Sequence, residues 1–239
     1  MPGSVKSSAR KLMVENAPRI FYVSFFYVLI ITVMSELQHR LPGIRPAYEQ
    51  YISRVASGEP HGISMYLSHI MPAGVAAAAF ILLLGCIIRF GFIGYCLKKS
   101  RKLGGSCASI FYGFSMPIKV LQVTFISAAL IALWSMLFFI PGAVAYYRYR
   151  QACYVLLDDP GKGALQCIRE SKFLMSGNKL ELFLLDASFI GWYALSAALT
   201  LLMLLAAPFL LPAGMVWLYP YAGLARAKYY DAILRKAAA

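Results

Sequence analysis

Apolar residues run through this chain in long blocks, broken by short basic or turn-forming segments. At about 1.5 Å of rise per residue, roughly 20 apolar residues carry a helix across a bilayer core. Such blocks lie at 20–37, 72–97, 117–140, 180–204 and 210–227. "KKSRK" at 98–102 ends the second, and Pro117 opens the third, where its missing N–H costs little. The stretch 39–70 is polar, with Pro42, Pro46, Gly58, Pro60 and Gly62. Within it Tyr48, Tyr51, Ile52 and Val55 recur at i, i+3, i+4 and i+7, which predicts a short helix on the outer interface.

The segment "FFIPGAVAYYRYRQACYVLLDDP", residues 138–160, decides the topology. As an external loop it would leave most later cations outside. As a hairpin, Pro141-Gly142 is a tight outer turn and 142–157 is a short returning span. The hairpin places 17 of the 23 Lys and Arg residues inside and three outside, with Arg89, Arg148 and Arg150 within spans. Short cytoplasmic loops carry the excess of Lys and Arg, so the hairpin is preferred. The pattern predicts an all-α, polytopic helical bundle of six transmembrane helices in one domain over 1–239, both termini cytoplasmic.

After the hairpin, Asp158-Asp159-Pro160 reads as a helix start, with Asp159 at the N-cap and Pro160 at the first helical position. Ala164, Leu165, Cys167, Ile168, Leu174 and Met175 share one half of a helical wheel. The expectation is an amphipathic helix over 160–177 on the cytoplasmic interface, ended by Gly177. Lys162, Arg169, Lys172 and the following Lys179 would turn toward lipid phosphates.

Composition agrees with a lipid solvent. Of 239 residues 60% are hydrophobic and 14% charged, and mean hydropathy is +0.66. The net charge of +13 fits the positive-inside bias and anionic lipid, not nucleic acid. Lys6, Arg10, Lys11 and Arg19 precede the first block, yet no small-x-small cleavage site follows, so an uncleaved signal-anchor is expected. Cys86, Cys96, Cys107, Cys153 and Cys167 are an odd number without a C-x-x-C pair and read as small hydrophobes. His61 and His69 read as loop residues; neither metal nor cofactor is expected. No phosphate-binding loop, H-E-x-x-H or G-x-S-x-G occurs, so no enzymatic activity is expected.

The candidate chemistry lies in charges within spans, which are costly and face a partner or a cavity. Counted from the inner boundary, Arg89, Arg150 and Asp186 fall at roughly 13, 12 and 10 Å, Arg148 at about 15 Å, and Tyr219 and Tyr221 at about 8–10 Å. In one reading Asp186 pairs with one arginine and fixes helix packing while the other snorkels to phosphates. In the other, Arg89, Arg150, Asp186 and the tyrosines line a cavity open to the cytoplasm, where two cations against one anion favour a phosphate or carboxylate. Gly85, Gly91, Gly94 and Gly191 are expected at close helix approaches.

Several ordered motifs carry a resemblance. "LWSMLFFIPGAVAYYRYRQACYVLLDDP", "CIRESKFLMSGNKLELFLLDASFIGW" and "WLYPYAGLARAKYYDAI", with "FYGF" at 111–114, resemble a bacterial integral-membrane family catalogued as domain of unknown function 975. The likeness runs over about 85–239, with a departure from the family's pattern after Trp192, where this chain has "ALSAALTLLMLLAAPFLLPAG". It is also distantly similar to the membrane domain of some glycerophosphodiester phosphodiesterases. The resemblance implies a multi-span bundle in a bacterial cytoplasmic membrane and hints at a lipid or envelope context. The favoured expectation is a non-enzymatic protein binding lipid or an amphiphilic anion in envelope homeostasis or export. Alternatives are a transporter or its membrane subunit, and a scaffold whose helix 160–177 docks a cytoplasmic partner. The partners expected are anionic lipid headgroups, with a protein partner or a second copy of the chain.

Overall fold

The computed structural model describes residues 2–40, 53, 56, 57, 71–206 and 213–238. Among them all regular structure is helical. α1 (Pro2–Glu15) and α2 (Ala17–Arg40) precede α3 (Met71–Ser100) and a 3-10 helix (Cys107–Ser115). Then come α4 (Pro117–Leu137), α5 (Phe139–Tyr149), α6 (Ala152–Asp158) and α7 (Ala164–Leu174). α8 (Lys179–Ala187), α9 (Ile190–Ala206) and α10 (Ala213–Ala238) complete the chain. The interface helix expected at 48–55, with His61 and His69, lies outside the described residues.

Among the described residues, four stretches are long and apolar enough to cross a membrane: Ala17–Leu37, Val75–Ser100, Pro117–Leu137 and Lys179–Leu202. No more than 28% of any of them is buried against protein, which leaves most of their apolar surface for a lipid solvent. They correspond to four of the six expected blocks. The block expected at 142–157 is instead two short helices, α5 and α6, and α10 runs on through Lys228, Asp231 and Arg235. The block expected at 180–204 is interrupted after Ala187, between α8 and α9.

The chain divides into two compact units, Leu29–Gly85 and the remainder, Met1–Val28 with Cys86–Ala239. The smaller unit holds the end of α2 and the start of α3, with Val33, Leu37, Val75, Phe80 and Leu82 exposed. The larger unit has a dense core of Tyr95, Phe90, Phe189, Leu182, Leu185, Leu218 and Tyr229.

α1 was legible only as a basic leader. It is a separate amphipathic helix whose Val5, Ala9, Leu12 and Met13, at i, i+4, i+7 and i+8, are buried. That face packs along α10 and α8. Lys98–Lys102 does end α3: Leu103 N–H bonds back to Lys98 O at 2.9 Å while Lys102 takes a left-handed φ of 59°.

The hairpin of α4 and α5 reverses one step earlier than expected. Phe138 is the extended residue between the helices (φ −160°, ψ 152°), and Pro141 and Gly142 sit in the first turn of α5. Pro141 is tolerated there because first-turn N–H groups have no intrahelical partner. Gly142 has a different role from a turn: a Cβ on it would overlap Ser135 of α4, so it permits the close approach of the two helices. Gly91 likewise admits the backbone of Ile110 in the 3-10 helix, and Gly94 lies on Leu157, but Gly85 and Gly191 face open space.

The amphipathic helix is shorter than 160–177 and is capped differently. Gly163 is its N-cap, and the Asp159 carboxylate instead accepts from Gly161 N–H at 3.0 Å in the preceding turn. Its apolar arc of Ala164, Cys167, Ile168, Leu174 and Met175 is buried against α4, α5, α6 and α10. Leu165, expected on that arc, points outward.

Within the larger unit one end gathers many polar ties. Arg101 at the end of α3 holds Asp158 at the end of α6 and Asp231 of α10. Lys99 reaches Asn16 between α1 and α2, Lys119 at the start of α4 donates to Pro160 O, and Lys236 donates to Asn178 before α8.

Candidate functional site

Two arginines meet one carboxylate inside the larger unit. Asp186, near the end of α8, accepts at Oδ1 from Arg226 Nε of α10 at 3.0 Å. Its Oδ2 accepts from Arg150 Nη1, and Arg150 Nη2 reaches Oδ1 at 3.4 Å. Arg150 occupies the joint between α5 and α6, where it and Gln151 keep right-handed helical backbone angles, and its side chain reaches α8. Its guanidinium also lies over Tyr146 and Tyr147, 5.0 and 5.8 Å from the ring centroids, a cation–π contact. Side-chain exposure is 13% for Asp186, 15% for Arg150 and 24% for Arg226. At that burial a carboxylate needs the two cations it has.

Arg226 was placed by sequence reasoning in the cytoplasmic tail. A signal for it existed. Tyr219, Gly223, Arg226 and Tyr230 recur at i, i+4, i+7 and i+11, one face of α10. Each meets a different element. Tyr219 packs edge-on against Tyr27 of α2 at 5.5 Å. A Cβ on Gly223 would stand 2.7 Å from Cys96 Sγ of α3. Arg226 meets Asp186, and Tyr230 donates to Asp158 at 2.8 Å.

The other expected site residues divide. Arg89 on α3 is exposed and makes no hydrogen bond or ion pair among the described residues. It interacts electrostatically with Tyr27 and with Tyr219, which also senses Arg226. Arg89 and Arg226 thus share Tyr219 as an electrostatic neighbour, and Arg226 shares Asp186 with Arg150, so the five are linked residue to residue as a polar layer with three cations and one anion. Tyr221 is not brought into it: its ring packs on Phe189 and Trp217, at 5.1 and 5.5 Å. Arg148 contributes its backbone oxygen to Ser171 Oγ at 2.8 Å, and its half-buried side chain has no ion pair among the described residues.

Lys162 precedes α7 and donates to Glu170 at 2.8 Å, which holds its ammonium above its ordinary range. Arg169 and Lys172 are exposed on α7, and Lys179 opens α8. A second cluster escaped sequence reasoning. Arg101 binds Asp158 through Nη1 and Nη2 at 2.5 and 3.1 Å, and Asp231 through Nε at 2.9 Å. Hydrogen bonding to Asp158, offset in part by burial, keeps that guanidinium firmly protonated. Ser100 Oγ donates to Asp231 at 2.7 Å. Burial and Asp158 together push the Tyr230 phenol up from 10.0. Since Asp158 terminates α6 instead of starting a helix, the pattern that would have flagged it was read as a cap. Among the described residues no group of three His, Cys, Asp or Glu side chains gathers as a metal site.

Residues 136–237 match the family described as "Protein of unknown function (DUF975)". The matched part contains Arg150, Asp158, Asp186, Arg226 and Asp231 and leaves out Arg89 and Arg101, so it starts well after the residue-85 limit of the expected likeness. No curated protein and no solved structure matches the chain.

Proposed function

We propose that the chain is a non-enzymatic, six-span protein of a cytoplasmic membrane that binds a lipid or another amphiphilic anion at its polar layer. The observation that carries this reading is the charge balance. Arg150 and Arg226 already neutralise Asp186 with one positive charge to spare, and Arg89 adds a cation with no carboxylate among the described residues. An uncompensated arginine in an apolar stretch is costly, and a phosphate is the acceptor that guanidinium grips best. The two spans beyond the four apolar ones are α5–α6 and the first part of α10. They bring the end of α6 and the tail back to the end of the unit that holds Arg101, Asn16 and Lys119.

The test uses Arg89→Gln, which keeps a polar side chain at an exposed position and breaks no described bond. Native mass spectra of the detergent-purified protein are expected to show less retained phospholipid than wild type. Unchanged retention in a variant that unfolds at the wild-type temperature would remove the anion reading.

A further inference from the structure

α7 has two faces, and among the described residues protein covers one of them. The apolar arc expected to lie on lipid is spent on α4, α5, α6 and α10. On the opposite side Leu165, Arg169, Lys172 and Phe173 follow at i, i+4, i+7 and i+8, within about 100° of arc for a helix of 3.6 residues per turn. Leu165 is 56% exposed and Phe173 73% exposed, large for apolar side chains on an otherwise tightly packed helix. Arg169 and Lys172 have no ion pair among the described residues, and Glu170, the acid of this helix, is taken by Lys162. The charge presented outward is therefore positive, between two apolar anchors.

We infer that this outward face docks on the anionic headgroup layer of the bilayer, with Arg169 and Lys172 on lipid phosphates and Leu165 and Phe173 in the outer acyl region. Chain connectivity sets the depth. Gly177, in a left-handed conformation (φ 76°), ends the turn after α7, and the apolar stretch Lys179–Leu202 starts two residues later. α7 is thereby held at the rim of a membrane-crossing segment, and Leu180, 67% exposed, continues the apolar surface into it. Cations flanked by apolar anchors are the composition that binds an anionic interface. The inference rests on the membrane reading above, but not on the polar layer.

The experiment reconstitutes the full chain into vesicles of phosphatidylcholine, with or without phosphatidylglycerol, and with brominated acyl chains as quencher. Phe173→Trp adds one reporter to Trp134, Trp192 and Trp217, and the wild-type spectrum is subtracted. The added emission is expected to be blue-shifted and quenched in vesicles containing phosphatidylglycerol, and less so in phosphatidylcholine alone. Arg169→Gln with Lys172→Gln in the same background is expected to lose that preference, its quenching falling to the phosphatidylcholine value. Equal quenching in both lipids, or emission typical of water in both, would overturn the docking. If the native tryptophans also escape quenching, the membrane reading itself has failed; if they are quenched and residue 173 is not, only the docking has.

Discussion

Asp186 is the residue on which most of the buried charge depends. It is held from α5–α6 by Arg150 and from α10 by Arg226, so three parts of the chain share one carboxylate. Removing one member of a buried ion pair strands the others, at about 3–5 kcal/mol when burial is complete. With 13–24% of these side chains exposed, solvent screening lowers the expectation for Asp186→Asn to about 2–3 kcal/mol. Thermal unfolding in detergent should show the drop, and a wild-type midpoint would mean that the carboxylate contributes nothing to packing. That Asp186 pairs with an arginine was legible because Asp186, Arg89 and Arg150 all interrupt apolar sequence, and a charge there demands a counter-charge; which arginine it takes was not. Arg226 was not, because a cation at the edge of an apolar block is equally well explained by the positive-inside bias. What distinguishes it is its register with Tyr219 and Tyr230, a helical-face argument that hydropathy alone does not make.

At the scale of elements, glycine positions show where backbone proximity, not turn chemistry, explains the sequence. Pro141-Gly142 looks like a turn because that dipeptide so often makes one. The reversal falls at Phe138, and the glycine is used against Ser135. Gly142→Leu should therefore part α4 from α5. The expected cost is about 1–3 kcal/mol of overpacking, read as a lower unfolding midpoint. Gly191→Leu, where a side chain meets open space, should stay within about 0.5 kcal/mol of wild type. Equal effects at the two sites would contradict the close approach. α1 was missed for a related reason. Its buried stripe of Val5, Ala9, Leu12 and Met13 is present in the sequence, but the stripe is narrow and includes an alanine, and the basic residues around it suggested a leader. α7 was seen, with its buried face nearly correct, because five of its six expected apolar positions fall on one wheel sector. Which solvent that face meets is decided by neighbours 10–70 residues away in the chain, and no local pattern contains that information.

At the scale of the molecule, the four stretches that hydropathy identifies differ from the helices it does not. In the four stretches that hydropathy identifies at most 28% of the residues of the most apolar window are buried, so the composition there must suit lipid. α5 leaves Ile140, Val144 and Tyr146 exposed, but α6 and the middle of α10 are packed inside the larger unit, where Tyr154 stacks on Tyr230 at 5.0 Å and Arg226 finds Asp186. Protein can satisfy polar groups there, so the sequence is free to be less apolar. Topology then rests on which ends lie together. The ties of Arg101 to Asp158 and Asp231, Lys99 to Asn16, Lys119 to Pro160 and Lys236 to Asn178 gather the N-terminal joint, four later helix ends and the tail at one end of the unit. Phe138, 71% exposed at the reversal after the 21 residues of α4, lies away from them. Every return to the cation-rich end requires an even number of crossings, which six spans satisfy. In a background with the five cysteines replaced by serine, Phe138→Cys should react with a membrane-impermeant maleimide added to intact cells. Lys236→Cys should react only after permeabilisation. Labelling of Lys236→Cys in intact cells would place the tail outside and overturn the orientation with both termini inside, because the same bonds would then carry the end of α3 and the start of α4 outside with it, against the charge that Lys98, Lys99, Arg101 and Lys102 bring to that end.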